Sequence, residues 1–167
     1  MINKLGLLLM LVGMLSCRPD DQFTGVSAGA AGRYIVTAYI DSGDTLFSLQ
    51  PGSTGYKPGI NKLGVSSFTV ELAIAGANQL TMKTVYWRKG VQSTFGKEVN
   101  VQLTNIDYQF TLPETNSGTF YEGRVGRFTG LFYEHIVGGG FRILPSGDSL
   151  SLNSSSPDVV IVAQPGR

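Results

Sequence analysis

The chain has 167 residues, with 13 basic and 12 acidic side chains and a formal net charge of +1, so it lacks the basic excess that a nucleic-acid binder needs. One cysteine and one histidine exclude an internal disulfide and the clustered His/Cys ligands of a zinc site. No metal and no cofactor is expected.

The chain opens with Lys4, the 11-residue apolar run Leu5 to Leu15, and Ser16 before Cys17. This is the n-region, h-region and small residue of a secretory signal. A spanning helix needs about 20 apolar residues, so the run is a signal core. The segment resembles bacterial lipoprotein signals, with Met14 where those favour Leu. The resemblance implies that residues 1–16 are removed and that Cys17 carries the lipid and holds the protein to a membrane. Arg18 stands where an Asp retains some such lipoproteins in the inner membrane. The implied location is therefore the outer membrane of a diderm bacterium, facing the periplasm or the cell surface. Removing residues 1–16 takes away Lys4 and leaves acidic and basic side chains balanced. What remains is the size of one domain and can bury a core without covalent help.

Residues 17–31 read as the lipidated Cys17 and a flexible tether, polar at first and then rich in Gly, Ala and Ser. Gly25-Val26-Ser27-Ala28-Gly29 matches the G-x-S-x-G pattern of hydrolases. That motif needs a strand before the serine and a helix after it, and this segment predicts neither.

From Gly32 to residue 167 a single β domain is expected. Strands are predicted at Arg33–Ile40, Thr45–Leu49, Phe68–Ile74, Gln79–Arg88, Val99–Leu103, Tyr108–Leu112, Thr119–Val125, Phe128–Val137, Gly140–Leu144, Ser149–Asn153 and Val159–Ala163. Several of them alternate apolar and polar residues, the mark of antiparallel strands with one wet face. Turn chemistry separates them at Asp41-Ser42-Gly43-Asp44, Lys89-Gly90 and Pro145-Ser146-Gly147-Asp148. Gln50 to Ser66 shows no alternation and reads as one long loop.

The fold class is all-β. An antiparallel up-and-down barrel of about 8–10 strands is expected, with a β-sandwich as the alternative. Gly32-Arg33-Tyr34 is similar to the Gly-x-Trp opening of lipocalin-like proteins. Gly147 to Leu152 followed by Asp158 to Ala163 resembles the closing strands of small lipocalin-like bacterial lipoproteins. Both similarities imply the barrel.

Chemistry-bearing constellations are few. Asp41-Ser42-Gly43-Asp44 is acidic but shorter than an EF-hand loop and lacks its Glu, so it reads as a hairpin turn. His135, the one candidate for a Ser-His-Asp system, sits on a strand opposite in facing to Phe132, Glu134 and Ile136. Glu122 and Glu134 are the one carboxylate pair that could do glycosidase chemistry; Arg124 and Arg142 are their expected ion-pair partners. The chain is expected not to be an enzyme. Met82, Tyr86, Phe110, Phe120 and Phe132 lie on the more apolar sides of their strands and are expected to line the barrel, either as a packed core or around a small apolar ligand. The alternatives are a protein partner, or glycan binding at an exposed Trp87.

Overall fold

Alternation from Gly32 onward forms strands in a computed structural model that describes residues 25–52, 56–114, 118–139, 142–145 and 158–166. One helical turn, α1 (Ser27–Ala30), precedes ten strands: β1 (Gly32–Asp41), β2 (Asp44–Leu49), β3 (Pro58–Asn61), β4 (Val65–Gly76), β5 (Gln79–Arg88), β6 (Val91–Leu103), β7 (Asp107–Thr111), β8 (Phe120–Gly126), β9 (Phe132–Val137) and β10 (Asp158–Pro165). All pairings are antiparallel, and β10 pairs back onto β1. The ring β1-β4-β5-β6-β7-β8-β9-β10 is a closed eight-stranded up-and-down barrel, consistent with a lipocalin-like fold. Closure leaves no free edge strand within the ring itself.

β1 closes the ring because it works in two halves. Gly32 to Ile35 pair with β4, while Ala38 to Asp41 pair with β2 on the same edge. The β2–β3 hairpin therefore branches off the upper rim. On its other edge β1 pairs with β10 throughout, with a register irregularity between Val36 and Ala38. An extra residue there reverses which side chains face inward. Tyr34 and Val36 are buried below the irregularity, and Tyr39 and Asp41 above it.

Two-residue turns set the register of the β1–β2 and β5–β6 hairpins. Ser42 (φ 51°) and Gly43 (φ 81°) join β1 to β2, and Lys89 (φ 53°) and Gly90 (φ 79°) join β5 to β6. Positive φ at both central positions matches the right-handed twist of the flanking strands.

Two loop expectations are corrected. The stretch from Gln50 to Ser66 contains β3 and the start of β4. Among the described residues β3 pairs only with β2, and it begins at a proline, which suits an edge strand, so no alternation announces it. Gly25 to Ala31, read as tether, holds the docked turn α1. The Ser27 amide donates to Ala77 O (3.1 Å), and its hydroxyl donates to Gly76 O (2.6 Å) with Ala77 O 3.0 Å away. The Tyr34 hydroxyl donates to Ala30 O (2.6 Å). These contacts plug the lower end of the barrel, where the chain enters. They also give Ser27 of the G-x-S-x-G pattern a structural task, since its hydroxyl is buried and engaged. Residues 142–145 carry no strand, and the predicted strand at 149–153 lies outside the described residues.

Candidate functional site

Inward alternation gathers aromatic rings into two clusters. In the upper cluster, Phe68 lies 5.8 Å from Tyr39, 5.6 Å from Phe47 and 6.1 Å from Tyr86 between ring centres. Tyr56 stacks on Phe47, and Phe95 on Tyr86. In the lower cluster, Phe132 lies 5.8 Å from Tyr34 and 6.4 Å from Phe110. Met82, Tyr86, Phe110 and Phe132 are all buried in this interior.

Phe120 departs from the expectation. It is 51% exposed on the outer wall and packs edge-on against the His135 ring at 5.2 Å. The inward side of β8 is Tyr121, Gly123 and Val125. Glu122 and Arg124 share the outer parity of Phe120, whereas the inner parity is uncharged and has Gly123 at its centre. The smallness of Gly123 is required: a Cβ there would fall 2.5 Å from the Tyr121 hydroxyl oxygen and 3.1 Å from the Phe110 ring.

Between the aromatic clusters the barrel holds charge. β7 spans five residues, and β6 outruns it. Asn100 to Leu103 pair with β7, while Val91 to Val99 pair with β5 alone among the described residues. Above this short strand Lys97 turns inward and forms an ion pair with Glu134 of β9. The carboxylate is buried, and the lysine keeps a quarter of its side chain exposed. The Lys97 ammonium also lies 4.9 Å from the centre of the Tyr121 ring. Burial, together with the adjacent Glu134 charge, pushes the Tyr121 phenol far above its ordinary range. Thr84 adds a buried hydroxyl on the facing strand β5.

Of the expected partners, Arg124 does pair with Glu122, whereas the partner of Glu134 and the role of Arg142 are corrected. Glu134 pairs with Lys97, Glu122 pairs with Arg124, and Arg142 pairs with Asp41. Glu122 and Glu134 sit on opposite faces of the wall. Glu122 stands opposite His135 on the outside, and Glu134 stands opposite Gly123 with its side chain inside. They do not form a two-carboxylate cleft. His135 faces outward and shares a 2.8 Å contact between Nε2 and Asp158 Oδ1. Asp44 of the first turn pairs with Lys62, so both acids of that turn are engaged by cations.

A strap crosses the upper mouth. Residues 142–145 run to β5, which lies opposite β9 in the ring. The Ile143 amide donates to the Tyr39 hydroxyl (2.9 Å), and Arg88 donates to Leu144 O (3.0 Å). Ile143 is buried beneath the strap like a stopper. Burial raises the Tyr39 phenol well above the ordinary range, which keeps its oxygen neutral and available as an acceptor.

Cys17 lies outside the described residues. Trp87 is half-exposed on the outer wall, opposite Ser67 and Gln92. Lys97 is the interior residue that the sequence reading missed. The signal was present: Lys97 shares its parity with Phe95, Val99 and Val101, a cation on an otherwise apolar side. No protein-family model matches the chain, and no curated protein gives a significant match. The geometry itself establishes a closed antiparallel eight-stranded barrel with buried aromatic clusters.

Proposed function

We propose that the protein is a lipid-anchored, non-enzymatic β-barrel of a bacterial outer membrane, held through Cys17, that binds a small apolar ligand such as a fatty chain or a small aromatic compound inside the barrel. The observation that carries this reading is the Lys97–Glu134 pair beside Tyr121, set among aromatic rings. A buried ion pair costs several kcal/mol of desolvation per ion, and well-packed apolar residues often replace it without loss. Stability alone therefore gives little reason to keep it. Ligand sites, by contrast, are mostly apolar walls with a few placed polar groups. An apolar body would lie against Phe110, Phe132 and Met82, and a polar end against Lys97.

The test is titration with a polarity-sensitive fluorescent fatty-acid analogue. Saturable binding altered by Phe110→Ala supports the reading. A barrel interior serving only as core shows no binding, and Phe110→Ala then costs about 3–5 kcal/mol of stability. In that case a protein partner on the outer surface becomes the leading function.

A second reading has its own observation. Trp87 is exposed on the outer wall between Ser67 and Gln92, the combination of flat ring and hydrogen-bonding groups that a glycan would use. Loss of carbohydrate retention on Trp87→Ala, with the fold intact, would favour it.

A further inference from the structure

The two ends of the barrel differ. At the upper end and its hairpins lie Asp44, Lys57, Lys62, Lys89 and Glu114, all exposed, with Val91 (65% exposed) and Ile60 (40% exposed) among them. At the lower end two adjacent turns carry apolar side chains at their very tips. Ile106, at the tip between β6 and β7, is 65% exposed, and Phe128, at the tip between β8 and β9, is 79% exposed. Leu103 and Leu131 flank them and are also exposed. The two tips are neighbours, because the Arg127 amide donates to Ile106 O at 2.8 Å.

Neither tip is a loose loop. The Thr104 hydroxyl oxygen accepts from the Asp107 amide (3.0 Å), and Gly130 N donates to Gly126 O (2.8 Å) with Gly130 at φ 65°. The Arg127 guanidinium lies 5.6 Å from the centre of the Phe128 ring. The turns thus hold large apolar groups out into solvent, with a cation at their base. A water-facing turn gains nothing from that arrangement.

The chain also enters at this end. Ser27 is bonded to Gly76 and Ala77 in the β4–β5 turn, and Gly25 lies against Ala77. Seven residues lie between Cys17 and Gly25, and the eight steps along the chain give a reach of at most about 26–29 Å when fully extended.

We infer that the lower end is a membrane-contacting surface: Ile106 and Phe128 insert into the interfacial layer of the bilayer to which Cys17 is anchored, and Arg127 meets the lipid phosphates. The inference rests on the lipid-anchor reading. The tether brings this end within reach of the bilayer, and the two tips fix how the barrel stands on it. Apolar and aromatic side chains bury in the headgroup and upper acyl region while a long cationic side chain extends back to the phosphates. The strapped upper mouth then points away from the membrane.

The experiment uses the full chain, processed and lipidated, reconstituted in phosphatidylcholine vesicles with or without bromine on the acyl chains. Trp87→Phe removes the native tryptophan, and Phe128→Trp places the only tryptophan, excited selectively over the tyrosines, at the lower tip. A matched protein carries Val91→Trp at the opposite end instead. The expected result is about a twofold loss of the lower-tip fluorescence in brominated vesicles, the signature of interfacial burial, with Val91→Trp unaffected. Protein that floats with the vesicles while neither position is quenched overturns the inference and leaves the anchor intact; a partner protein or a second copy then becomes the occupant of this end. Protein that fails to float overturns the anchor reading and this inference with it.

Discussion

Lys97 and Glu134 meet inside the barrel although their strands, β6 and β9, are not neighbours in the sheet. Two intervening strands separate them, so the contact crosses the interior. Lys97→Met would strand the Glu134 carboxylate, and the expected cost is about 2–4 kcal/mol, at the low side for a broken buried pair because Lys97 is partly exposed. Lys97→Met combined with Glu134→Leu should restore stability to within about 1 kcal/mol of the wild type, since neither partner is then left alone. Urea denaturation of the three proteins checks this. A double variant as unstable as the single one would mean that the pair itself holds the barrel together.

The lower plug gives a backbone prediction. A Cβ on Gly25 would fall 2.1 Å from Ala77 O and 2.4 Å from Ala77 Cα, and backbone atoms cannot rotate away. Gly25→Ala should cost about 1–3 kcal/mol, in the range of overpacking. Ala28→Ser, at an exposed position of the same turn, should stay within about 0.5 kcal/mol. Equal thermal stability of the two variants would place α1 off the barrel.

Alkaline pH should weaken the fold through Tyr34. Burial, with a smaller effect from Tyr108, pushes its phenol up to about 12 from an ordinary value of 10.0. The folded state therefore holds a proton that the unfolded chain releases first. Stability from this group is whole below pH about 10 and falls as pH rises toward about 12, by at most about 1.4 kcal/mol per unit. Tyr34→Phe loses the bond to Ala30 O, worth about 1 kcal/mol at neutral pH. Its stability curve should then converge on the wild-type curve through the alkaline window. A gap that stays constant there contradicts the assignment.

The anchor is tested at Cys17. In the full chain, Cys17→Ala should abolish labelling by a fatty-acid probe and release the protein from the membrane fraction. Labelling that persists in the variant removes Cys17 as the attachment point.

How far the sequence revealed this fold depends on local signals. β5 was legible to the residue, Gln79–Arg88, because clean alternation ends at the Lys89-Gly90 turn. β6 was read only from Val99, whereas it begins at Val91. Its first half is polar and draws its strand form from pairing with β5, which the turn dictates and composition does not. That missing half contained Lys97, so the interior ion pair was hidden although Glu134 had been noticed on an apolar face. Placing Phe120 inward rests on its ring alone, since Glu122 and Arg124 share its parity. The uncharged parity of Tyr121, Gly123 and Val125 faces in, and the glycine makes room for Tyr121. The partners of Glu134 and Asp41 lie on distant segments, and no spacing rule reaches that far.

Met82 offers the most direct measurement of the interior site. It is the only methionine beyond residue 16, and it is buried in the barrel interior. In a chain processed at Cys17 and labelled with 13C at the methionine methyl, one resonance reports the site. Titration with a long-chain fatty acid should move that resonance saturably, with the same midpoint as the fluorescent analogue displaced in competition. A resonance that stays fixed at saturating fatty acid would show the interior to be closed core, and would contradict ligand binding inside the barrel.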